Sequence, residues 1–485
     1  MKPFSLDLRA LALWRMALGA VVLLDIVMRA TDLQAFYGDD GVLSRALYFE
    51  QSWQYPGFHL FLASGSTAGL LALFAVWAVA AFCLMVGYRP RIAGLVTWYF
   101  VASIQIRNPM VMDGGDDLLR LLLFWTPFLP LGARWSWDAR SFPQWKALSN
   151  SYRSVATVAL YTQLFVLYFF AAFLKTGDDW LKTGDALFMA LSLDQFATPV
   201  SKFLLSFPEL LRFMTWFALG WEYGLALLLL LGSRWPKIRG LFCLLGFGFH
   251  LSIFVMLDFG IFMVISAAGL LAFLPLELLD KEKETSPAVE LPKPLPSGYR
   301  LERPLQLFGV FIIVMIWVFN LHSVKNIQKV PRWSKQVVLW TYEQQHWHLF
   351  APFPYREDGW FVLEVEHPDN TTTDAWQNGV RSGSRPSNIA ASFPNHRWRR
   401  WLQNLYQVSK AENESWRRST LKYVALEWKM QHPDEDVRRF RLVWMREINQ
   451  PPGVALAPPE RVVLAEMSGV GPKRKPPIGA KGQRP

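Results

Sequence analysis

Nine apolar segments constrain the fold of this 485-residue chain more than any other feature of its sequence. Each helix that crosses a bilayer core needs about 20 mostly apolar residues. Only 18% of the residues are charged, whereas soluble domains usually have roughly 25%. The sequence therefore predicts an α-helical polytopic membrane protein with about nine transmembrane helices. The nine segments are residues 10–30, 67–86, 91–107, 117–131, 154–174, 209–231, 238–256, 259–279 and 304–320.

The distribution of Lys and Arg between these segments predicts the orientation of the chain. One alternate set of connections carries 16 Lys or Arg residues and the other carries five. Short basic loops stay in the cytoplasm, so the N-terminus is expected in the cytoplasm of a protein of the inner or plasma membrane. Nine crossings then place everything after residue 320 outside. We attribute the net charge of +11 mainly to orientation in the bilayer, and we expect no nucleic-acid partner.

Composition divides the chain into three parts. Residues 1–320 form the predicted transmembrane domain, and residues 321–470 form a predicted extracytoplasmic α/β domain. Residues 471–485 are basic and poor in apolar side chains, so they are predicted to be a disordered tail. The Pro-rich, charged residues 281–303 are predicted to be a cytoplasmic linker. Within the α/β domain, FVLEVE (361–366), LKYVALEWKM (421–430) and VRRFRLVWMRE (437–447) are interpreted as strands, and RWRRWLQNLYQVSK (397–410) as a helix.

Several polar residues lie near the predicted outer ends of spans three, four, five and seven. Charged groups inside a bilayer are costly, and they usually face a partner or a water-filled cavity. One shared cavity that opens to the outside would remove much of this cost for all of them. We therefore predict a single outer site with Lys175 and His250 as catalytic residues. Asn108, Asp116 and Arg120 are its predicted substrate-binding residues.

Each of these residues also has a purely structural interpretation. Lys175 is a general base if burial lowers its pKa, but it is an anchor if its amine extends to water. Asp116 and Arg120 are four residues apart and can form an ion pair within one helix. His250 is either a proton-transfer partner or a hydrogen-bonded structural residue. Glu222, predicted near the middle of the membrane, is either a proton relay or a neutral acid bonded to a neighbouring helix.

The sequence predicts no metal site. Its two cysteines, Cys83 and Cys243, lie in apolar runs and exclude a disulfide framework or a cysteine-rich metal site. His346 and His348 form a two-histidine pair without an evident third ligand.

Five long segments carry a family resemblance. DLRALALWRMALGAVVLLDIVMRATDLQAFYGDDGVL (7–43), RNPMVMDGGDDLLRLLLFWTPFLPLG (107–132) and FHLSIFVMLDFGIFMVISAAGLLAFLP (249–275) resemble the horizontally transferred transmembrane (HTTM) domain. Vitamin K-dependent gamma-carboxylases share this domain with many bacterial homologues. WHLFAPFPYREDGWFV (347–362) and FPNHRWRRWLQNL (393–405) resemble the extracytoplasmic segment of many bacterial members.

The resemblance implies a chemistry. YFFAAFLKTGDDW (168–180) is similar to the carboxylase segment with the catalytic lysine, and Lys175 falls on that lysine. The implied reaction uses a reduced, vitamin K-like quinone, oxygen and carbon dioxide to carboxylate a glutamate of a protein or peptide substrate. His250 matches a family histidine, whereas Asn108 and Leu174 replace a family histidine and a second lysine. The leading hypothesis is thus a carboxylase-like lyase or oxidoreductase with an outer-leaflet site. The alternative is a non-catalytic membrane assembly, resistance or transport factor.

The predicted orientation can be tested with a reporter fused after residue 470. We expect a reporter that works only outside the cytoplasm to be active, because nine crossings separate this position from the cytoplasmic N-terminus. A reporter that works only in the cytoplasm serves as the control. Its activity at the same position would contradict the orientation.

Overall fold

A computed structural model describes residues 2–50, 57–141, 149–280, 303–322, 324, 331–376, 383–407 and 413–469. The predicted linker falls outside the described residues except for Arg303, and the predicted tail at 471–485 falls outside them entirely. The described chain is mostly helical, with a small sheet close to the C-terminus.

Helices dominate the first 322 residues. They are α1 (Leu8–Ala30), α2 (Leu33–Tyr37), α3 (Arg45–Glu50), α4 (Leu60–Ala63), α5 (Thr67–Val86), α6 (Pro90–Arg107), α7 (Gly114–Phe124), α8 (Trp137–Ser141), α9 (Val155–Phe173), α10 (Asp178–Leu181), α11 (Ala186–Leu191), α12 (Pro199–Leu204), α13 (Pro208–Gly232), α14 (Pro236–Met256), α15 (Phe262–Leu270) and α16 (Arg303–His322).

Six helices in the described part of the chain are long and apolar enough to cross a membrane, namely α1, α5, α9, α13, α14 and α16. The other three predicted spans are also helical and correspond to α6, α7 and α15. However, the 11 residues of α7 extend only roughly 16 Å, about half of a bilayer core. A capping box between Asp113 and Asp116 fixes its start, and Pro127 follows soon after its end. A total of nine crossings stays a prediction.

The C-terminal part combines three helices with an antiparallel sheet. The helices are α17 (Arg332–Trp340), α18 (His396–Gln407) and α19 (Asn413–Gln431). In the N-terminal half of the chain, two short strands pair with each other, namely β1 (Leu6–Asp7) and β2 (Ser151–Tyr152). The C-terminal sheet has the order β4-β3-β5-β6 and consists of β3 (Glu357–Glu366), β4 (Thr372–Asp374), β5 (Arg439–Ile448) and β6 (Glu460–Ser468).

The predictions for this part were mostly confirmed, with one error. The predicted strands at 361–366 and 437–447 match β3 and β5, and the predicted helix at 397–410 matches α18. LKYVALEWKM, predicted as a strand, lies inside α19. The interpretation was wrong because its buried residues follow the helical spacing i, i+3, i+4, i+7. Those residues are Leu421, Val424, Ala425 and Trp428.

A buried network of four charges joins the C-terminal part to the helix bundle. Arg397 of α18 donates to Asp25 of α1 at 2.6 Å and to Asp116 of α7 at 3.2 Å. Arg29 donates to the same two carboxylates, with 2.7 Å between its Nε and Asp25. All four side chains are at most 2% exposed. Each carboxylate therefore meets both arginines, which offsets the cost of burying the charges.

The C-terminal part covers the end of the bundle that carries the less basic connections. Trp398 donates to Asp32, Arg400 to the Met112 carbonyl, and Arg399 to Asp258. Arg356 pairs with Asp179 at 3.0 Å. These partners all belong to connections that the sequence predicts to be outside. The connections therefore share one end of the bundle, as the alternation of Lys and Arg predicts, and the side of the membrane that this end faces stays a prediction.

Replacing Arg397 should strongly destabilise the protein. Arg397→Gln leaves two buried carboxylates with one arginine, and we expect a loss of about 3–5 kcal/mol in the free energy of unfolding. Thermal unfolding of the purified protein in detergent measures this. Arg418→Gln, which removes an exposed pair with Glu414, is the matched control and should leave the transition unchanged. Equal transitions for both variants would contradict a stabilising role of the network.

Candidate functional site

Lys175 lies just beyond the end of α9 and is almost completely buried. The helix ends at Phe173, and the Lys175 amide still donates to the Ala172 carbonyl. Its Nζ donates to the Ala171 carbonyl at 2.8 Å and to both Glu222 oxygens at 2.9 and 2.6 Å. The side chain is 4% exposed, so its amine does not extend into water. Glu222, on α13, is therefore the direct partner of the predicted base.

The indole of Trp180 lies against the Lys175–Glu222 pair. Its ring centroid is 5.0 Å from Nζ, and its Nε1 donates to the Phe350 carbonyl at 3.0 Å. Gly177, between the two residues, donates its amide to the Pro352 carbonyl. Residues of the C-terminal part thus cover the Lys175–Glu222 pair at their end of the bundle.

A second buried pair follows on the same face of α9. Tyr168 precedes Lys175 by seven residues, about two helical turns, and its hydroxyl lies 2.9 Å from Nε2 of His250. Phe249 and Phe262 surround the imidazole, with ring centroids at 5.6 and 6.2 Å. Nδ1 of His250 is buried and has no hydrogen-bond partner among the described residues. The two predicted catalytic residues thus belong to one polar strip between α9, α13 and α14.

Asn108 has a structural position in the loop after α6. Its Nδ2 donates to the Phe36 carbonyl at 3.1 Å, and its Oδ1 accepts from the Met110 amide at 3.2 Å. Both ends of the side chain therefore hold backbone of the outer loops, away from the polar strip.

Asp116 and Arg120 do not form the predicted ion pair. Asp116 accepts from Arg29 and Arg397, because the capping box turns its carboxylate towards α1 and α18. Arg120 instead pairs with Asp117 at 2.8 Å and donates to the Tyr342 carbonyl at 2.8 Å. The ion-pair prediction was wrong, since residues three apart on a helix meet as readily as residues four apart.

Arg120 lines a cavity of about 290 Å³ between the helix bundle and the C-terminal part. Of the five predicted site residues, it is the one that lines this cavity. Burial and the neighbouring Asp116 carboxylate raise the pKa of Asp113, another lining residue, to about 6. The polar lining residues are Gln105, Asp113, Asp117, Arg120, Tyr342, Gln344, His346 and Arg400.

The histidines of the C-terminal part do not gather metal ligands. His346 and His348 are exposed, and Nδ1 of His346 is 4.0 Å from Asp117. Over the ranges that the structure covers, no group of three or more His, Cys, Asp or Glu residues has an arrangement suited to a metal ion.

Sequence reasoning named Glu222 but missed its partner, and it missed Tyr168 altogether. The ion pair joins two residues that are 47 positions apart in the chain, so no local spacing reveals it. The i,i+4 spacing of Asp25 and Arg29 was a usable signal for the charge network.

Comparisons with known proteins agree with this architecture. A sequence profile of the HTTM domain matches residues 4–277. Sporulation-delaying protein SdpB of Bacillus subtilis (strain 168) is 26% identical over 252 residues, which cover 50% of this chain and 73% of SdpB. Uncharacterized protein YitO of the same strain is 27% identical over 109 residues, or 22% of this chain and 34% of YitO. No solved structure matches.

The Lys175–Glu222 pair predicts a distinctive stability pattern. Lys175→Met leaves Glu222 buried without its partner, and we expect it to cost about 3–5 kcal/mol. Adding Glu222→Leu removes both charges and should restore most of this loss, since an apolar pair needs no desolvated partner. Thermal unfolding in detergent measures both variants.

The matched control is Lys182→Met, which removes an exposed lysine paired with Asp178, four residues earlier in the chain. It should unfold like the wild type. If the double variant is no more stable than Lys175→Met alone, the pair does not explain the cost.

Proposed function

The chain belongs to the HTTM-domain family, and we propose that it is a carboxylase-like membrane enzyme with Lys175 as its base. The proposed co-substrate is a reduced, vitamin K-like quinone, and the proposed acceptor is a protein or peptide glutamate. Its nine crossings would place the N-terminus in the cytoplasm and the C-terminal part outside. The observation that carries the proposal is a buried amine held against a carboxylate at the position of the family's catalytic lysine.

Glu222 supports a base at this position because its carboxylate can accept a proton from the Lys175 ammonium. As an ammonium, Lys175 cannot accept a proton. The 2.6 Å contact between Nζ and Oε2 lets that proton pass to Glu222, which leaves a free amine beside a neutral acid. The amine can then take a proton from an acidic hydroxyl of the substrate.

The surroundings of the pair support a substrate that arrives from the lipid. Trp180 and the backbone of Phe350 and Pro352 close the outer side. The Glu222 side chain is 11% exposed, and its neighbour Tyr223 is 39% exposed on the outer surface of α13. A quinone-type lipid is soluble in the bilayer, whereas a free polar metabolite would have to cross the closed side.

His250 fits a quinone-type ligand on chemical grounds. Its buried Nδ1 has no partner in the described part of the chain, so a ligand oxygen would satisfy it. The neighbouring Phe249 and Phe262 rings are suited to a flat aromatic ring. When bound, the reduced quinone supplies the ring that oxygen oxidises. Lys175 and His250 would hold its oxygens and move protons at them.

A second candidate function has its own observation. All three N–H groups of Lys175 find acceptors within the protein, as expected for a structural ion pair. This favours a non-catalytic membrane assembly, resistance or transport factor on the same helices. In that case the pair stabilises the bundle and takes no part in a reaction.

Epoxide formation from a vitamin K-type hydroquinone separates the two candidates. The purified protein in lipid nanodiscs receives the hydroquinone, oxygen, carbon dioxide and a glutamate-containing peptide. We expect epoxide from the wild type and from Lys182→Met, and none from the folded double variant Lys175→Met/Glu222→Leu. Chromatography of the extracted lipids measures the product.

Two outcomes would contradict the enzyme. The first is an absence of epoxide with the wild type, and the second is equal epoxide formation by the double variant. If the double variant also restores growth or resistance in a strain that lacks the protein, the non-catalytic function is favoured.

A further inference from the structure

After α16 the described chain returns to the helix bundle instead of remaining beyond its end. Helix α17 packs against α16, and the residues that follow it enter between the helices. The Tyr342 ring lies 5.6 Å from that of Trp98 on α6. The Gln345 amide oxygen accepts from Nε2 of Gln163 on α9 at 2.9 Å. Both contacts reach the middle of long helices.

Helix geometry converts these contacts into a depth. Trp98 precedes the end of α6 by nine residues, and Gln163 precedes the end of α9 by ten. At 1.5 Å per residue, both lie roughly 14–15 Å from the C-terminal ends of their helices. This is about half of a 30 Å bilayer core. Residues 342–345 therefore lie well inside the bundle.

Two backbone carbonyls of this returning segment accept hydrogen bonds from a buried arginine. Arg120 donates to the Tyr342 carbonyl at 2.8 Å and to the Gln344 carbonyl at 2.5 Å. Irregular backbone is tolerated at membrane depth only where protein or a water-filled cavity satisfies it. Arg120 thus serves the C-terminal segment, which explains why its guanidinium is 1% exposed.

Helix α17 has two different faces. Ser334 and Val338 are buried against the bundle. Trp333 and Trp340, seven residues apart on the opposite face, are 57% and 60% exposed. Trp340 lies beside Gly57, and the neighbouring Phe58 is 66% exposed. The exposed face of α17 therefore continues an aromatic outer surface of the bundle.

We propose that α17 re-enters the membrane and that its Trp333–Trp340 face contacts lipids of the outer leaflet. This face continues the apolar surface of the C-terminal half of α16, where Val314 and Leu321 are exposed. Trp333, at the start of α17, lies nearest the polar boundary of the bilayer, where tryptophan is favoured, and Trp340 lies deeper, two residues before Tyr342. Lys335 has a long apolar stem and can keep its amine at that boundary. The inference does not depend on the proposed catalysis.

Fluorescence quenching in nanodiscs tests the lipid contact. In a background with Cys83 and Cys243 replaced by Ala, an environment-sensitive dye is attached to Trp340→Cys or to Gln336→Cys. Asp434→Cys, in an exposed turn of the C-terminal part, is the matched control. Lipids with brominated acyl chains should reduce the fluorescence at 340 by about twofold and leave that at 434 unchanged. Iodide in the buffer should quench mainly the dye at 434.

Either of two results would overturn the proposal. Equal quenching by iodide at positions 340 and 434 would place α17 in water. A lack of quenching by both bromine and iodide at 340 would show that another part of the protein covers this face. The Gln336→Cys variant keeps both tryptophans, so a failure of Trp340→Cys to fold does not prevent the test.

Discussion

The buried network of Asp25, Arg29, Asp116 and Arg397 is the interaction on which the rest of the architecture depends. It joins the first helix, the start of α7 and α18 of the C-terminal part in one set of ion pairs. An unpaired charge at this depth is costly, so the three elements are fixed relative to one another. The position of α18 then brings Arg399 to Asp258 and Arg400 to the Met112 carbonyl. The C-terminal part is thus an integral portion of the helix bundle and not a separate appendage.

Unequal helix lengths explain where the candidate site lies. Helix α13 has 25 residues, and Glu222 lies 14 residues after its first residue, which is about 21 Å along the helix. Glu222 meets Lys175 just beyond the end of α9. Helix α13 therefore extends past the end of α9 and leaves space there. Residues of the C-terminal part fill this space and cover Lys175. The polar strip is therefore covered by residues of the C-terminal part at that end of the bundle, and α13 has partly exposed side chains such as Tyr223 beside it.

The sequence predicts the helices well because a bilayer demands long apolar runs, and six of the nine predicted spans meet that demand in the described chain. It also singles out Lys175, since an ionisable residue at a helix end is conspicuous in an apolar chain. The side-chain contacts of the site were harder to predict from the sequence. Depth estimates placed Glu222 and Lys175 on separate helices without relating them, and the return of residues 342–345 leaves no apolar run to detect. LKYVALEWKM shows the same limit on a local scale, because its ten residues fit both a period of two and a helical period.

The distance along the chain between Arg397 and its partners bears on how the protein is made. Asp25 and Asp116 enter the membrane early in synthesis, with Arg29 as their nearby cation, whereas Arg397 is added 372 residues after Asp25. Until α18 has been translated and has docked on the bundle, the nascent bundle carries an acid that lacks its second arginine. A ribosome product truncated before α18 would keep that defect permanently. Docking of α18 therefore completes the charge balance that α1 and α7 begin.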